Sequence, residues 1–186
     1  MLQFFENLLA FGIVFHKSRI RACENEPHEF EAALDDNTNL ADTYIGMADA
    51  YVALKRPAEA EASLRKAIDA DVSNWASFNA MGNFLFGQGR FLEAAEFYQM
   101  YVNRADNDAK ALSNLGAAYY LAGEFRQAAE AWERAIAIRP GRSVYSNTGT
   151  MYFFLGEYDK AADRYALAAN FAPNDYIVWS NLADAY

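Results

Sequence analysis

Bulky apolar residues recur through most of the chain at spacings of three and four, which is the period of a helix with one buried face. They occur in paired segments. The first segment of a pair reads large–x–x–large–small–x–x–aromatic, as in residues 112–119, and the second is rich in alanine, as in residues 128–132. A short turn signal such as Gly123-Glu124-Phe125 separates the two segments. The pattern predicts an all-α chain built from helix–turn–helix units.

The small residue of the first segment returns at a nearly constant interval. It occupies five positions that lie 34, 34, 33 and 34 residues apart, namely Ala48, Gly82, Gly116, Gly149 and Ala183. A fixed period of this length is the signature of a repeat protein. We therefore expect an array over residues 41–186, with units at 41–74, 75–108, 109–141 and 142–175 and a half unit at 176–186.

Three prolines support these boundaries. Pro57 stands at the expected start of a second helix, where the N–H that proline lacks is not needed. Pro140 and Pro173 follow two other second helices, which proline cannot continue. The sequence therefore predicts where three helices begin or end.

The units resemble the tetratricopeptide repeat (TPR) family, whose 34-residue signature combines W-x2-L-G-x2-Y, A-x3-F and a late proline. The unit at 109–141 matches it through Leu112, Leu115, Gly116, Tyr119, Ala128, Trp132, Ala135 and Pro140. The unit at 142–175 matches through a similar set, whereas the two earlier units carry Val72 and Asp106 in place of the proline. The resemblance implies an α-solenoid, a right-handed superhelix whose first helices line a concave groove for a protein or peptide partner.

Residues 1–40 fit the pattern less well. Leu8, Phe11, Gly12 and Phe15 have the spacing of a first helix, but about two extra residues separate them from a second-helix pattern. Two interpretations stay open, a degenerate N-terminal repeat and capping helices.

The apolar run of residues 8–15 is too short for a membrane span, which needs about 20 residues. Glu6 precedes the run and cations follow it, the reverse of a secretory signal. We expect a cytoplasmic chain without direct membrane insertion.

Charge and composition argue against several classes of function. The net charge of −9 opposes binding to nucleic acid, whose phosphates dominate affinity. One cysteine and two histidines offer little for a disulfide, a metal site or acid–base catalysis. No P-loop, nucleophile elbow or paired-carboxylate motif occurs. We expect a protein that is not an enzyme and uses neither a metal nor a cofactor.

Family groove positions, transferred to this chain, give a candidate peptide-binding surface. Its members are Asn79, Asn83, Phe86, Lys110, Asn114, Tyr120, Asn147, Phe153 and Asn181. Asn114, Asn147 and Asn181 share one repeat position, and an amide both donates and accepts hydrogen bonds. As in several TPR relatives, they form a candidate ladder for the main chain of an extended peptide, although asparagine at this position also has a purely local interpretation.

The aromatic row Phe86, Tyr120 and Phe153 is a second groove feature. It could anchor apolar peptide side chains or be partly buried between helices. Some TPR domains hold a terminal carboxylate with lysine and arginine, but here Asn79, Ser143 and Asn147 stand where those cations belong. Acidic C-terminal peptides are therefore not expected ligands.

The half unit at 176–186 reads as a first helix without its second, with Tyr176, Trp179, Leu182 and Tyr186 in apolar positions. Repeat arrays usually close with a polar face. Either the chain is a piece of a longer protein or another chain covers this helix. We expect self-association, giving a homo-oligomer, through these four residues.

The main hypothesis is a protein–protein interaction scaffold that serves as a docking or regulatory part of a larger protein. The last repeats loosely resemble the TPR tails of bacterial signalling proteins, which follow a kinase, a nucleotide cyclase or a winged-helix regulator. The alternative is a freestanding chaperone or assembly factor that shields an apolar client segment. A purely structural oligomerisation array is the third.

Overall fold

The computed structural model describes residues 40–105 and 108–186. All regular structure in these two ranges is α-helical, so the predicted all-α class is confirmed for them. The helices are α1 (Leu40–Ala53), α2 (Pro57–Ala70), α3 (Trp75–Gly87), α4 (Phe91–Val102), α5 (Ala109–Leu121), α6 (Phe125–Ile138), α7 (Arg142–Phe154), α8 (Tyr158–Phe171) and α9 (Tyr176–Asp184). The predicted N-terminal repeat at 1–40 lies outside the described residues except for Leu40.

The chain divides into two compact units, one ending at Asp71 and the other beginning at Val72. In the first unit, α1 and α2 pack against each other as a helical hairpin. Pro57 is the first residue of α2, as predicted. Ala48 and Leu64 are both buried in this hairpin.

The second unit contains three hairpins, α3–α4, α5–α6 and α7–α8, followed by α9. Each second helix also packs against the next first helix, so that α4 contacts α5, α6 contacts α7 and α8 contacts α9. The two helices of a hairpin are joined by a turn that contains one residue with positive φ: Gly89 (76°), Gly123 (82°) or Gly156 (74°). Glycine adopts this conformation without a steric penalty.

The periodic glycine of the first helix is explained by an aromatic ring on the second. A Cβ on Gly116 would lie 2.7 Å from the Trp132 ring, and a Cβ on Gly82 would lie 2.7 Å from the Tyr98 ring. The same contact recurs between Gly149 and Tyr165, at 2.9 Å. Only a hydrogen fits in this space, because real Cβ contacts are longer. Each hairpin of the second unit is therefore held by a ring packed on a glycine.

Polar residues fix helix starts and join successive repeats. Asn74, Asp108 and Asp175 each accept a backbone N–H at the start of α3, α5 and α9. Ion pairs connect Arg126 to Glu157 and Arg164 to Glu133, both across the junction of two repeats. Both pairs remain partly open to solvent, so each contributes little, on the order of 0–1 kcal/mol, and packing dominates the stability of the second unit.

Candidate functional site

The ladder residues Asn114, Asn147 and Asn181 occupy the same repeat position on α5, α7 and α9. Asn114 and Asn181 are half-buried and Asn147 is exposed. None of the three side chains hydrogen-bonds to another residue in the described part of the chain. Their amides are therefore available to a ligand.

A cavity of about 400 Å³ brings Lys110 and Asn147 together. It lies between the start of α5, the end of α6 and the start of α7. Arg139 and Arg142 add two cationic groups to its lining, and Arg142 forms an ion pair with Asp175. We name this space the α5–α7 cavity. Its polar lining is dominated by cations.

A smaller cavity of about 220 Å³ brings Phe153 and Asn181 together. It lies between α7 and α9, and we name it the α7–α9 pocket. Its lining residues are Thr150, Phe153, Phe154, Tyr165, Asn181 and Asp184. The Tyr165 hydroxyl donates to Thr150 Oγ1 at 3.0 Å, and the Thr150 hydroxyl donates to the Ser146 carbonyl oxygen at 2.9 Å.

The pKa of Tyr165 is raised above its ordinary value. Burial of the hydroxyl is the main cause, and the negative charge of Asp184 adds to it. The Thr150 hydrogen bond acts in the opposite direction. Tyr165 therefore stays protonated at neutral pH and keeps donating to Thr150.

The three residues of the predicted aromatic row pack against rings of their own hairpins. Phe86 contacts Phe91 with ring centroids 5.4 Å apart, and Phe153 contacts Tyr158 at the same distance. Tyr120 contacts Phe125 at 6.3 Å. The alternative interpretation, partial burial between helices, therefore accounts for much of this row. Of the three, Phe153 lines the α7–α9 pocket.

The predicted site residues of α3 line neither of these two cavities. Asn79 is half-buried. Asn83 accepts a hydrogen bond from the Tyr98 hydroxyl at 2.8 Å, so its amide oxygen already has a partner. Burial raises the pKa of Tyr98 to about 12, which keeps this donor protonated. Asn83 therefore has less hydrogen-bonding capacity to offer than the ladder residues.

The residues predicted for self-association divide into two groups. Tyr176, Trp179 and Tyr186 are 79%, 49% and 92% exposed. Leu182 is only 9% exposed because it packs against Tyr165 of α8. Leu182 belongs to the core, which corrects its assignment to the exposed surface. Self-association through the other three stays a prediction.

Sequence motifs did not indicate Arg139 and Arg142 as lining residues of the α5–α7 cavity. Asp184 follows the periodic small residue just as Thr150 does in the preceding repeat, which is a groove position of the repeat, and it lines the α7–α9 pocket. Arg139 and Arg142 lie at the two ends of the turn between α6 and α7, and the repeat signature specifies neither of these positions.

The described residues contain no group of three or more histidine, cysteine, aspartate or glutamate side chains arranged to hold a metal ion. Among the same residues, no helix is long and apolar enough to cross a membrane.

Comparison with protein families finds tetratricopeptide repeat models at residues 45–110 and 109–142. The two matches overlap at residues 109 and 110 and together cover most of the predicted array. The chain belongs to the tetratricopeptide repeat family. Its predicted fold class, an all-α TPR solenoid, is confirmed as well, and TPR domains generally act as non-catalytic protein–protein interaction scaffolds. Comparison with curated proteins finds no match.

Solved TPR structures share this fold. A crystal structure of MamA is 24% identical with a TM-score of 0.73, covering 81% of this chain and 82% of MamA. MamA from Desulfovibrio magneticus RS-1 is 18% identical with a TM-score of 0.69, covering 79% and 84%. YrrB, described as a TPR protein with an unusual peptide-binding site, is 19% identical with a TM-score of 0.72, covering 84% and 81%. At these identities the similarity extends to the fold alone.

Proposed function

We propose that this TPR chain is a non-catalytic scaffold that binds an extended segment of a partner protein along α5, α7 and α9. One observation supports this proposal above the others. Three side-chain amides, Asn114, Asn147 and Asn181, recur at one repeat position on three first helices and have no hydrogen-bond partner among the described residues. An interaction scaffold needs such unsatisfied groups on its surface.

The chemistry of the amide suits a main-chain ligand. An extended segment presents one N–H and one C=O per residue, and an asparagine side chain can both accept from the first and donate to the second. Contacts of this kind depend on the backbone of the partner rather than on its sequence. The scaffold then obtains specificity from the cavities beside the ladder. YrrB is described as having a peptide-binding site, and its shared fold supports the same class of ligand here.

The affinity of a selected peptide tests the ladder. Random peptides of roughly twelve residues, long enough to extend across several helices, would be selected on the full chain. We expect Asn114→Ala combined with Asn147→Ala to weaken binding roughly 5- to 150-fold, because each of the two lost hydrogen bonds costs about 0.5–1.5 kcal/mol. Asn170→Ala is the matched control, since Asn170 is exposed on α8. Unchanged affinity in the double variant would remove the ladder from the proposal.

A second candidate function is the shielding of an apolar client segment. It is favoured by exposed rings at one edge of the second unit, where Phe154 and Tyr158 are about half exposed. Phe154 also contacts Phe125, with centroids 5.2 Å apart, which joins the rings of two repeats. Peptides that are apolar throughout, and that bind the ladder variant as well as the wild type, would favour this function over the first.

We also propose that the scaffold is a docking part of a larger cytoplasmic signalling protein, as the resemblance to bacterial signalling tails implies. The length of the encoding gene tests this proposal. Additional catalytic or regulatory domains would support it. A gene without such domains would favour the freestanding assembly factor.

A further inference from the structure

We propose that the α7–α9 pocket receives one lysine or arginine side chain of the partner segment, with Asp184 and Asn181 as the groups that bind its charged end. This inference rests on the proposed function, because it assigns a side chain to a segment bound along the same face. It adds a requirement that the ladder does not impose, namely a basic residue at one position of the ligand.

The hydrogen-bonding capacity of the pocket points to a donor. The Tyr165 hydroxyl donates to Thr150 Oγ1 and the Thr150 hydroxyl donates to the Ser146 carbonyl oxygen, so neither hydroxyl has a proton to offer. The groups left open are the Asn181 amide and the Asp184 carboxylate. Neither forms a hydrogen bond or ion pair with another described residue. A ligand group that enters here therefore meets a negative charge and an amide oxygen.

The sign of the charge selects a cation. The carboxylate of Asp184 lines the pocket together with Tyr165, and its negative charge acts to raise the pKa of the Tyr165 hydroxyl. An acidic side chain would be repelled by Asp184. The net charge of −9 acts in the same direction at longer range, since it attracts basic segments and repels acidic ones.

The walls and the size of the pocket suit a long basic side chain. Phe153 and Phe154 contribute aromatic rings, with centroids 6.4 Å apart. Lysine and arginine can lay their methylene stems along such surfaces while the charged end reaches a polar partner. A volume of about 220 Å³ equals that of roughly seven water molecules, enough for one such side chain. The second unit already places Arg104 over Phe78 at 4.6 Å and Lys160 over Tyr152 at 5.2 Å.

The other cavity differs in charge, and this difference gives the ligand a direction. The α5–α7 cavity is lined by Lys110 and Arg139 and adjoins the first half of α7. The α7–α9 pocket adjoins the last turns of the same helix. A basic side chain is thus favoured at the second position and disfavoured at the first. The partner segment should therefore bind in one orientation.

Peptide selection on the full chain and on Asp184 variants tests the assignment. Peptides selected on the wild type are expected to be enriched in lysine or arginine at one position. The enrichment should persist with Asp184→Glu, disappear with Asp184→Asn and change to acidic residues with Asp184→Lys. Asp69→Asn makes the same change of charge on α2 and should leave the enrichment intact.

The affinity of one selected peptide measures the coupling between Asp184 and the basic residue of that peptide. We expect Asp184→Asn to weaken binding of this peptide about tenfold, because a charged hydrogen bond is lost. Replacing the basic residue of the peptide by methionine should weaken binding by the same factor for the same reason. Combining the two changes should cost no more than either alone. Thermal unfolding of each variant is the check on folding, and Asp184 is exposed at the end of α9.

The outcomes separate the two proposals. Enriched peptides without a basic residue, or with one that is equally favoured by Asp184→Asn, would overturn the pocket assignment and leave peptide binding intact. Full additivity of the two changes would overturn it as well. Failure to enrich any peptide on the wild type would overturn the proposed function, and the pocket assignment with it.

Discussion

Replacing Gly116 by alanine inserts one methyl group into the contact between α5 and α6. The new Cβ would lie 2.7 Å from two atoms of the Trp132 ring and 2.8 Å from a third. Carbon atoms normally rest about 3.5–4.0 Å apart, so the ring has to move by roughly 1 Å. Trp132 is buried, and its Nε1 donates to the Ser113 carbonyl oxygen at 3.2 Å. The movement therefore strains both the packing and this hydrogen bond.

Three effects determine the change in the free energy of unfolding. Overpacking a buried site costs about 1–3 kcal/mol, and weakening the Trp132 hydrogen bond costs up to about 1 kcal/mol. Alanine is a better helix former than glycine by about 1 kcal/mol, which offsets part of the loss. We expect Gly116→Ala to lower the free energy of unfolding by about 2 kcal/mol.

Urea unfolding of the full chain, followed by circular dichroism, measures this change. Gly87→Ala is the matched control, because Gly87 is also helical but has no neighbouring atom within 4 Å of the added Cβ. The control should be unchanged or up to about 1 kcal/mol more stable. A similar loss of stability in both variants would refute the packing argument.

A second background tests the role of Trp132 directly. The first unit has Ala48 and Leu64 at the positions that correspond to Gly116 and Trp132. Gly116→Ala should therefore cost less in a Trp132→Leu background than in the wild type, with a coupling energy of at least about 1 kcal/mol. An equal cost in the two backgrounds would show that the ring is not what excludes the methyl group.

Three further changes have defined outcomes. Lys55 has φ of 59° where the other hairpins have glycine, and Lys55→Gly should raise the unfolding free energy by up to about 1 kcal/mol in urea. Burial acts to raise the pKa of Asp108, but hydrogen bonds from Tyr101 and two backbone N–H groups hold it below its ordinary value. Its contribution is present above about pH 4 and lost as pH falls further, so Asp108→Asn should flatten the acid side of the stability profile. Trp179→Glu should abolish concentration-dependent self-association in light scattering.

For each of these three changes, one result would contradict the prediction. An unchanged or lower urea midpoint in Lys55→Gly would show that the turn carries no backbone strain. A stability profile of Asp108→Asn that falls in acid as steeply as the wild type would assign the sensitivity to other carboxylates. A wild-type chain that is monomeric at every dilution would eliminate self-association through Trp179.

Local signals in the sequence predicted the hairpins well. Pro57 opens α2 and the prolines at 140 and 173 follow α6 and α8, because proline restricts the backbone wherever it stands. Small residues at 82, 116 and 149 proved to be the places where a ring packs on the helix. These features repeat with the period of the chain. Because these features repeat, they could be recognised from the sequence without knowledge of contacts between distant residues.

The state of individual side chains was not predictable in the same way. Asn83 is the same residue type as the ladder residues, yet its amide oxygen accepts a hydrogen bond from Tyr98 of the next helix. Leu182 matched an exposed apolar pattern but packs into the core against Tyr165. The two cavities are formed jointly by neighbouring repeats. Such pairings depend on packing between helices, which a pattern along one helix does not contain.

The most direct test of peptide binding along the first helices is the NMR spectrum of the asparagine side chains in the isotope-labelled full chain, recorded while a selected peptide is added. We expect the side-chain amide signals of Asn114, Asn147 and Asn181 to shift as peptide is added until the chain is saturated, while the signal of Asn170 stays in place. Saturable binding that leaves the three ladder signals unmoved would show that the peptide does not bind along these helices.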